Sequence, residues 1–474
     1  MKPIAVLGAG LAGLTAAREL RRRGLPVIVF EAGESVGGMA SSFKDADGFT
    51  YDVGAHFISN RLARELGAEA ICRTVPHYGE AVLVGERSRS YPFGLLAEPR
   101  FLAGAVAGKL ARRKIENAED WFRSTYGDAL AEAVAIPLAE AWSGAKAEAL
   151  SPAVGEKLSA GVLKTLYLKA ASRVTGRAVC NGYSHEVPES ASVYHVYPEG
   201  GISRLLEPTV AEVAESIRLR SPVEKIIVEN DRVVAVRSMG ETIPVSAAIS
   251  TAPVDVLPKL IEGSNALSTL SAFRYRPMVF VNLRFSGRHL LPDTMLWVPD
   301  RSKPFFRLTE APYSMPWLAP EGKTLITADI GCSLGDEIWT MSEADLAARC
   351  LEGMCAIDPT LRDRYLGSGG VVRARTAYPV YLLAYEEARR RFAQSTGIEG
   401  LISIGRNGEF GHILMEDIYW RTLRQAAAIA AYVGEPAVEP SARAAWSPAA
   451  PAASVSGPAL SPPSLSVLDG PSPQ

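Results

Sequence analysis

The sequence predicts an α/β chain organised on a parallel sheet, and three observations predict it. An apolar strand, Ile4-Ala-Val-Leu7, runs into the loop Gly8-Ala-Gly-Leu-Ala-Gly13 and then into a helical stretch, Leu14 to Arg23. A second apolar strand, Val27-Ile-Val-Phe30, ends on the acid Glu31. Farther on, short strands return on either side of a helix-rich block at about residues 95 to 195.

The first of these elements has the order of a dinucleotide site. Gly8 permits the tight turn, Gly10 lets backbone approach a pyrophosphate, and Gly13 lets helix and strand pack closely. Leu11 and Ala12 lie at the helix start, whose free N–H groups and positive dipole favour phosphate. Glu31 follows the last glycine by 18 residues, where an acidic side chain accepts hydrogen bonds from an adenosine ribose, with Ala32 beside it.

The next loop selects the dinucleotide. Gly37-Gly38-Met39-Ala40-Ser41-Ser42, followed by Tyr51-Asp-Val-Gly54-Ala55-His56-Phe57, resembles the second signature of FAD-binding proteins of the glutathione-reductase superclass. Paired glycines let backbone pass close to the ribityl and diphosphate chain. Many such relatives carry arginine where this chain has Met39, which removes one contact but leaves the backbone donors and the ribose carboxylate.

Bulk properties exclude other classes. At 474 residues the chain exceeds a single growing core, so interleaved domains are expected. A net charge of −2 gives no general attraction to nucleic acid. Five cysteines, Cys72, Cys180, Cys332, Cys350 and Cys355, show no C-x-x-C spacing and read as buried thiols. With no signal peptide ahead of the first strand and no apolar run near the roughly 20 residues of a membrane span, a cytoplasmic protein is expected.

Within the helix-rich block, Ala118 to Gly127 and Ile136 to Gly144 alternate apolar and charged residues at helical spacing. Two further stretches, 103–108 and Val162 to Lys169, are short enough to read as packing inside the cap rather than as a membrane surface. Strands follow at Ile217 to Leu219, Pro222 to Glu229 and Arg232 to Arg237, with Glu229-Asn-Asp231 as a turn, then at Ala247 to Pro253 and through about 273 to 333. Beyond about residue 436 the Ala, Pro and Ser composition predicts a disordered tail.

In order and over about 435 residues, these landmarks resemble the FAD-dependent superfamily of protoporphyrinogen oxidases, amine oxidases, phytoene desaturases and UDP-galactopyranose mutases. Tyr91-Pro-Phe93, Trp142-Ser-Gly144, Phe306 to Glu310, Gly335 to Trp339 and Ala377 to Tyr381 look closer to the protoporphyrinogen-oxidase-like and mutase-like branch. The resemblance implies a glutathione-reductase-type FAD-binding Rossmann-like domain (1–90, 196–270 and 395–435), a helical cap (91–195), an interleaved mixed-sheet substrate domain (271–394) and a tail (436–474). It implies that Val223 lies on the strand bracketing the adenine. Leu401-Ile-Ser-Ile-Gly405-Arg406, followed by Asn407 to Asp417, resembles the C-terminal Gly-Arg stretch. There the arginine contacts the diphosphate and a helix start, here Met415, Glu416 and Asp417, presents N–H groups to the pyrimidine end of the flavin.

Candidate substrate-facing residues have two readings each. His56 either bonds the flavin or relays a proton, or is a satisfied structural histidine. Arg307 either lines the cavity or belongs to a buried ion pair; three residues from Glu310 on a strand, the two point to opposite faces. Tyr378 and Tyr381 form part of an aromatic wall over the flavin, and His412 either touches the ring edge or bonds the helix start. Lys303 reads as part of a polar turn, and no metal-ligand spacing occurs.

The leading expectation is an oxidoreductase that transfers a hydride from a small organic substrate to flavin N5. A nucleotide-sugar mutase using reduced flavin, with Arg307 and Arg373 or Arg375 holding a diphosphate, is the second. A flavin-binding protein without catalysis is the third.

Overall fold

The structure, a computed structural model, describes residues 1–111, 113–155 and 162–434; the expected tail at 436–474 lies outside them. Five strands form a parallel sheet in the order Ile217–Arg218, Val27–Phe30, Ile4–Leu7, Ala247–Ser250 and Leu401–Ser403. Ile4–Leu7 and Ala247–Ser250 are buried at every position. A parallel strand covered on both faces needs such continuous burial, which is why these segments read as unbroken apolar runs.

The helix Leu11–Arg22 packs against the long helix Met415–Gly434. Leu14 and Leu20 are fully buried on it, and burying each stabilises the fold by about 1.5–3 kcal/mol. Gly13 sets how closely helix and loop approach: a Cβ there would sit 1.9 Å from the Gly8 carbonyl oxygen. Beside this layer, Val223–Glu229 and Arg232–Ser238 pair antiparallel. Their two-residue turn is Asn230 and Asp231, with φ of 50° and 56°, values that Asn and Asp tolerate better than most side chains.

A seven-stranded mixed sheet runs Tyr365–Pro379, Tyr275–Ser286, Lys323–Gly331, Arg307–Thr309, Met295–Trp297, Glu80–Val84, Arg87–Ser90. Its one parallel pairing joins Met295–Trp297 to Glu80–Val84. Val279, Leu296, Leu308 and Ala328 cluster on one face with Leu346 and Cys350 of the helix Glu343–Cys355. The other face presents Trp297, Arg307, Asp329 and Phe280 in one cross-strand row.

Helices at Ala118–Tyr126 and Ile136–Ser143 match the expected ones. Asn117 caps the first by accepting from the Asp120 N–H at 3.0 Å, and Gly144, at φ 68°, ends the second. A π turn, Ala131–Ala135, precedes Pro137, which has no N–H for the ordinary helical ladder.

Packing wholly inside the cap is not what the two remaining stretches do. The helix Pro99–Leu110 packs through its glycines: a Cβ on Gly108 would lie 2.8 Å from the Arg123 carbonyl oxygen, and one on Gly127 would lie 2.1 Å from Gly104. With glycine on the inner side, the branched side chains turn outward, and Leu102, Val106 and Leu110 are exposed. The helix Val162–Thr175 likewise buries Leu168 and exposes Leu166, Tyr167 and Val174.

Candidate active site

The two glycine loops meet at the carboxyl ends of the parallel strands, where α/β sheets bind ligands. Gly8, at φ 99°, donates to the Phe30 carbonyl at 2.8 Å, and Gly37 donates to the Ala9 carbonyl at 2.9 Å. Gly10 caps the helix Leu11–Arg22 with no side chain. The first-turn N–H groups of Leu11, Ala12 and Gly13 are therefore left to the cleft that these residues line.

That cleft has a volume of about 450 Å³, within the range of small-molecule sites. Beyond the glycine loops, Glu31, Ala32, Met39, His56, Val223, Gly405, Arg406 and Met415 line it. Cβ atoms built on its glycines test whether an extended dinucleotide fits. On Gly8 the atom would fall 2.2 Å from Thr251 Oγ1, and on Gly405, at φ 79°, 2.8 Å from Ala12 Cβ. On Gly10 the nearest atom would be 3.8 Å away, so this glycine leaves room that the protein does not fill. The residues fit a dinucleotide laid along bare backbone.

Glu31 is oriented by the chain itself. Its Oε2 accepts from the Ala9 N–H at 2.7 Å and its Oε1 from the Gly33 N–H at 2.8 Å. Each carboxylate oxygen has a second lone pair for a hydroxyl. His56 lies at the cleft wall with Nε2 3.1 Å from the Val53 carbonyl. A carbonyl only accepts, so Nε2 carries the proton, and burial lowers the pKa and keeps the ring neutral.

At the other end Arg406 is buried and donates from Nη1 to the Ile413 carbonyl at 3.2 Å. Its guanidinium lies 5.3 Å from the centre of the Tyr378 ring. Trp142, Tyr378, Tyr381 and His412 form a cluster behind Arg406, with ring centres 4.8 Å apart for Trp142 and His412 and 4.5 Å for Tyr381 and His412; none of the four lines the cleft, so the expected aromatic wall, Tyr378 included, lies one layer behind it. The His412 N–H donates to the Tyr381 hydroxyl at 3.1 Å.

Several sequence candidates sit elsewhere. Arg307 is fully buried and ion-paired with Asp329. It is absent from the cleft wall, so the buried-pair reading describes it. Glu310 points away from it and accepts from Leu290 N–H, Leu291 N–H and Thr324 Oγ1. Gly54 and Ala55 support His56 without lining the cleft. The side chains of Glu416 and Asp417 turn away from the cleft. Glu416 binds Ser59 and Arg61, and Asp417 accepts from Ser184 Oγ and the His185 and Glu186 N–H groups. Lys303 lies in the turn with Asp300. The segment 249–253, which the resemblance implies returns beneath the cofactor, does supply Thr251 to the wall, whereas sequence reasoning missed Thr376 and Ile413 there and the packing of Trp142 on Tyr378 behind it, because only tertiary packing brings these together.

Fold and site together define a dinucleotide-binding flavoprotein. The sequence model of the family described as flavin containing amine oxidoreductase matches residues 11–405. The chain belongs to that family, and FAD is its cofactor. It is 27% identical over 212 residues to amine oxidase [flavin-containing] B of Canis lupus familiaris, covering 44% of this chain and 38% of that one. It is 40% identical over 95 residues to hydroxysqualene dehydroxylase of Sinorhizobium fredii, covering 19% and 21%. The chain thus spans well under half the length of these curated relatives. The solved structure of reduced UDP-galactopyranose mutase superposes with a TM-score of 0.73 at 19% identity, covering 92% of this chain and 98% of that one, a likeness of fold.

Proposed function

We propose that this chain is an FAD-dependent oxidoreductase that takes a hydride from a small organic substrate. The observation that carries this reading is the continuous cleft from Glu31 to Arg406, backed by aromatic rings, in a member of a flavin-dependent oxidoreductase family. FAD, when bound, supplies the two-electron acceptor. In this reading Glu31 holds the ribose, and the backbone of Gly10 to Gly13 and Arg406 hold the diphosphate. The N-terminus of Met415–Gly434, with its positive dipole, favours negative charge at the pyrimidine end. His56 stays neutral beside the ring, able to bond it or hold a proton without adding charge. Trp142, Tyr378 and Tyr381, one layer behind Arg406, keep water from that side of the cleft, which strengthens the electrostatic terms.

The arginines do not favour a redox-neutral mutase. Arg307 is committed to Asp329, Arg373 donates to the Trp339 and Met341 carbonyls, and Arg375 is exposed outside the cleft wall, so none of the three expected arginines is placed for a substrate diphosphate there. The reading is tested by mixing the oxidised holoprotein, without oxygen, with amines, alcohols, porphyrinogen-like compounds and nucleotide sugars in turn. Bleaching by one class supports it. Bleaching by none, with nucleotide-sugar isomerisation by the dithionite-reduced protein, replaces it with the mutase.

A further inference from the structure

We infer that Glu409 is the positioning residue of the cofactor loop, its carboxylate fixing where Gly405 and Arg406 stand in the cleft. The inference rests on the reading that Arg406 holds the diphosphate. Gly405, Arg406 and Asn407 line the cleft, and Glu409 does not. Three of the seven residues from 405 to 411 are glycine, which makes the stretch costly to hold in one conformation. Contacts from outside its own backbone preferences must therefore fix it.

Glu409 grips Gly405 from two sides. Its backbone N–H donates to the Gly405 carbonyl at 2.8 Å, and its Oε1 accepts from the Gly405 N–H at 3.1 Å. That N–H opens the short helical turn Gly405–Gly408, where a first-turn donor has no acceptor within the turn itself. The next residue is anchored in the core. Phe410, at φ 52°, holds a backbone conformation that bulky residues rarely take, and its ring packs on Phe273, Tyr275 and Tyr381. Glu409 thus ties the start of the turn to a point that packing keeps still, and Arg406 is the residue between them whose guanidinium reaches the cleft.

The second carboxylate oxygen settles the charge. Glu409 Oε2 accepts from Arg421 Nη1 at 3.1 Å, and Arg421, on the helix Met415–Gly434, also donates from Nε to Glu186 Oε1 at 2.7 Å. Arg424 pairs with the other Glu186 oxygen. Two carboxylates and two guanidiniums balance, so the brace adds no net charge to the positive field of Arg406. Its action on the cofactor is geometric.

The test is titration of the full-length apoprotein with FAD. Glu409→Ala should bind FAD at least about tenfold more weakly, as for a lost hydrogen bond to a charged group. Glu409→Asp keeps the charge for Arg421 but is one methylene short of Gly405, and it should bind as weakly. Glu409→Gln keeps an acceptor at the full reach and should recover affinity to within about threefold of wild type. Glu186→Ala takes the other carboxylate from Arg421 without touching 405–411, and its FAD affinity should stay within about twofold of wild type, whatever its melting temperature. The proposal is overturned if the Ala and Asp variants bind FAD like wild type, if Gln binds no better than Asp, or if Glu186→Ala loses as much affinity as Glu409→Ala. Arg406→Ala, measured alongside, separates the two levels. Unchanged affinity there overturns the diphosphate reading and this proposal with it, whereas weakened affinity there with wild-type affinity in the Ala and Asp variants of Glu409 overturns this proposal alone.

Discussion

Arg307 and Asp329 face each other across adjacent antiparallel strands, ion-paired with neither side chain exposed, and the Arg307 guanidinium lies 5.3 Å from the centre of the Trp297 ring. Arg307 Nε and Nη1 and Asp329 Oδ1 are buried without a hydrogen bond of good geometry, and the Tyr378 and Tyr78 hydroxyls and the Glu80 carboxylate lie close enough to act on the guanidinium. Breaking such a pair leaves a buried charge and costs about 3–5 kcal/mol, whereas replacing both members with apolar groups can be neutral. Arg307→Met alone should therefore lower stability by about that amount, and adding Asp329→Leu should restore most of it. Paired denaturant titrations measure this, and a double variant no better than the single one would contradict it.

Gly10 and Gly13 separate binding from folding. Ala at position 13 meets backbone at 1.9 Å, while Ala at position 10 meets nothing closer than 3.8 Å. Gly13→Ala should yield little soluble protein. Gly10→Ala should fold with a melting temperature near wild type as apoprotein yet retain little flavin, because its methyl occupies the space left for the diphosphate. Comparing melting curves with flavin absorbance tests both, and full flavin content in Gly10→Ala would remove the diphosphate from this loop.

Glu31→Ala should weaken FAD retention at least about tenfold, since hydrogen bonds to a charged group are worth about 1.5–3 kcal/mol. The Ala9 and Gly33 N–H groups lose the same carboxylate, so a modest fall in apoprotein stability should accompany it. Arg406→Ala should likewise weaken FAD at the other end of the cleft. Equilibrium dialysis of each variant decides the assignments, and unchanged affinity in either sinks that one.

His195 is buried beside Cys180, Tyr183 and Phe57, and burial lowers its pKa from 6.5 to about 4. Between those values the unfolded chain binds the proton and the folded one does not, so stability is full above pH 6.5 and is lost as pH falls toward 4. The shift corresponds to about 3 kcal/mol. His195→Gln should flatten the acid limb of the melting temperature against pH, and an identical slope in wild type and variant would rule the histidine out.

How legible these features were follows how local their causes are. The glycine loops and Glu31 stand out in the sequence because backbone constraints act within a few residues, and the cleft forms where they lie. Alternation along 307–310 foretells that Arg307 and Glu310 diverge, but not that Asp329 and Thr324, on another strand, receive them. Glu416 and Asp417 mark a helix start correctly, yet their carboxylates serve Ser59 and the 184–186 loop, partners more than 200 residues away. The outward turn of Leu102 and Val106 depends on Gly127 meeting Gly104, a contact no helical periodicity encodes.

The most direct test of the central claim is the anaerobic single-turnover reduction of the bound flavin by an active substrate and by the same substrate deuterated at the reacting carbon. Hydride transfer predicts complete two-electron bleaching in both cases, slower with the deuterated compound. Flavin that stays oxidised with every substrate, while the pre-reduced protein turns one over without net redox change, would contradict it.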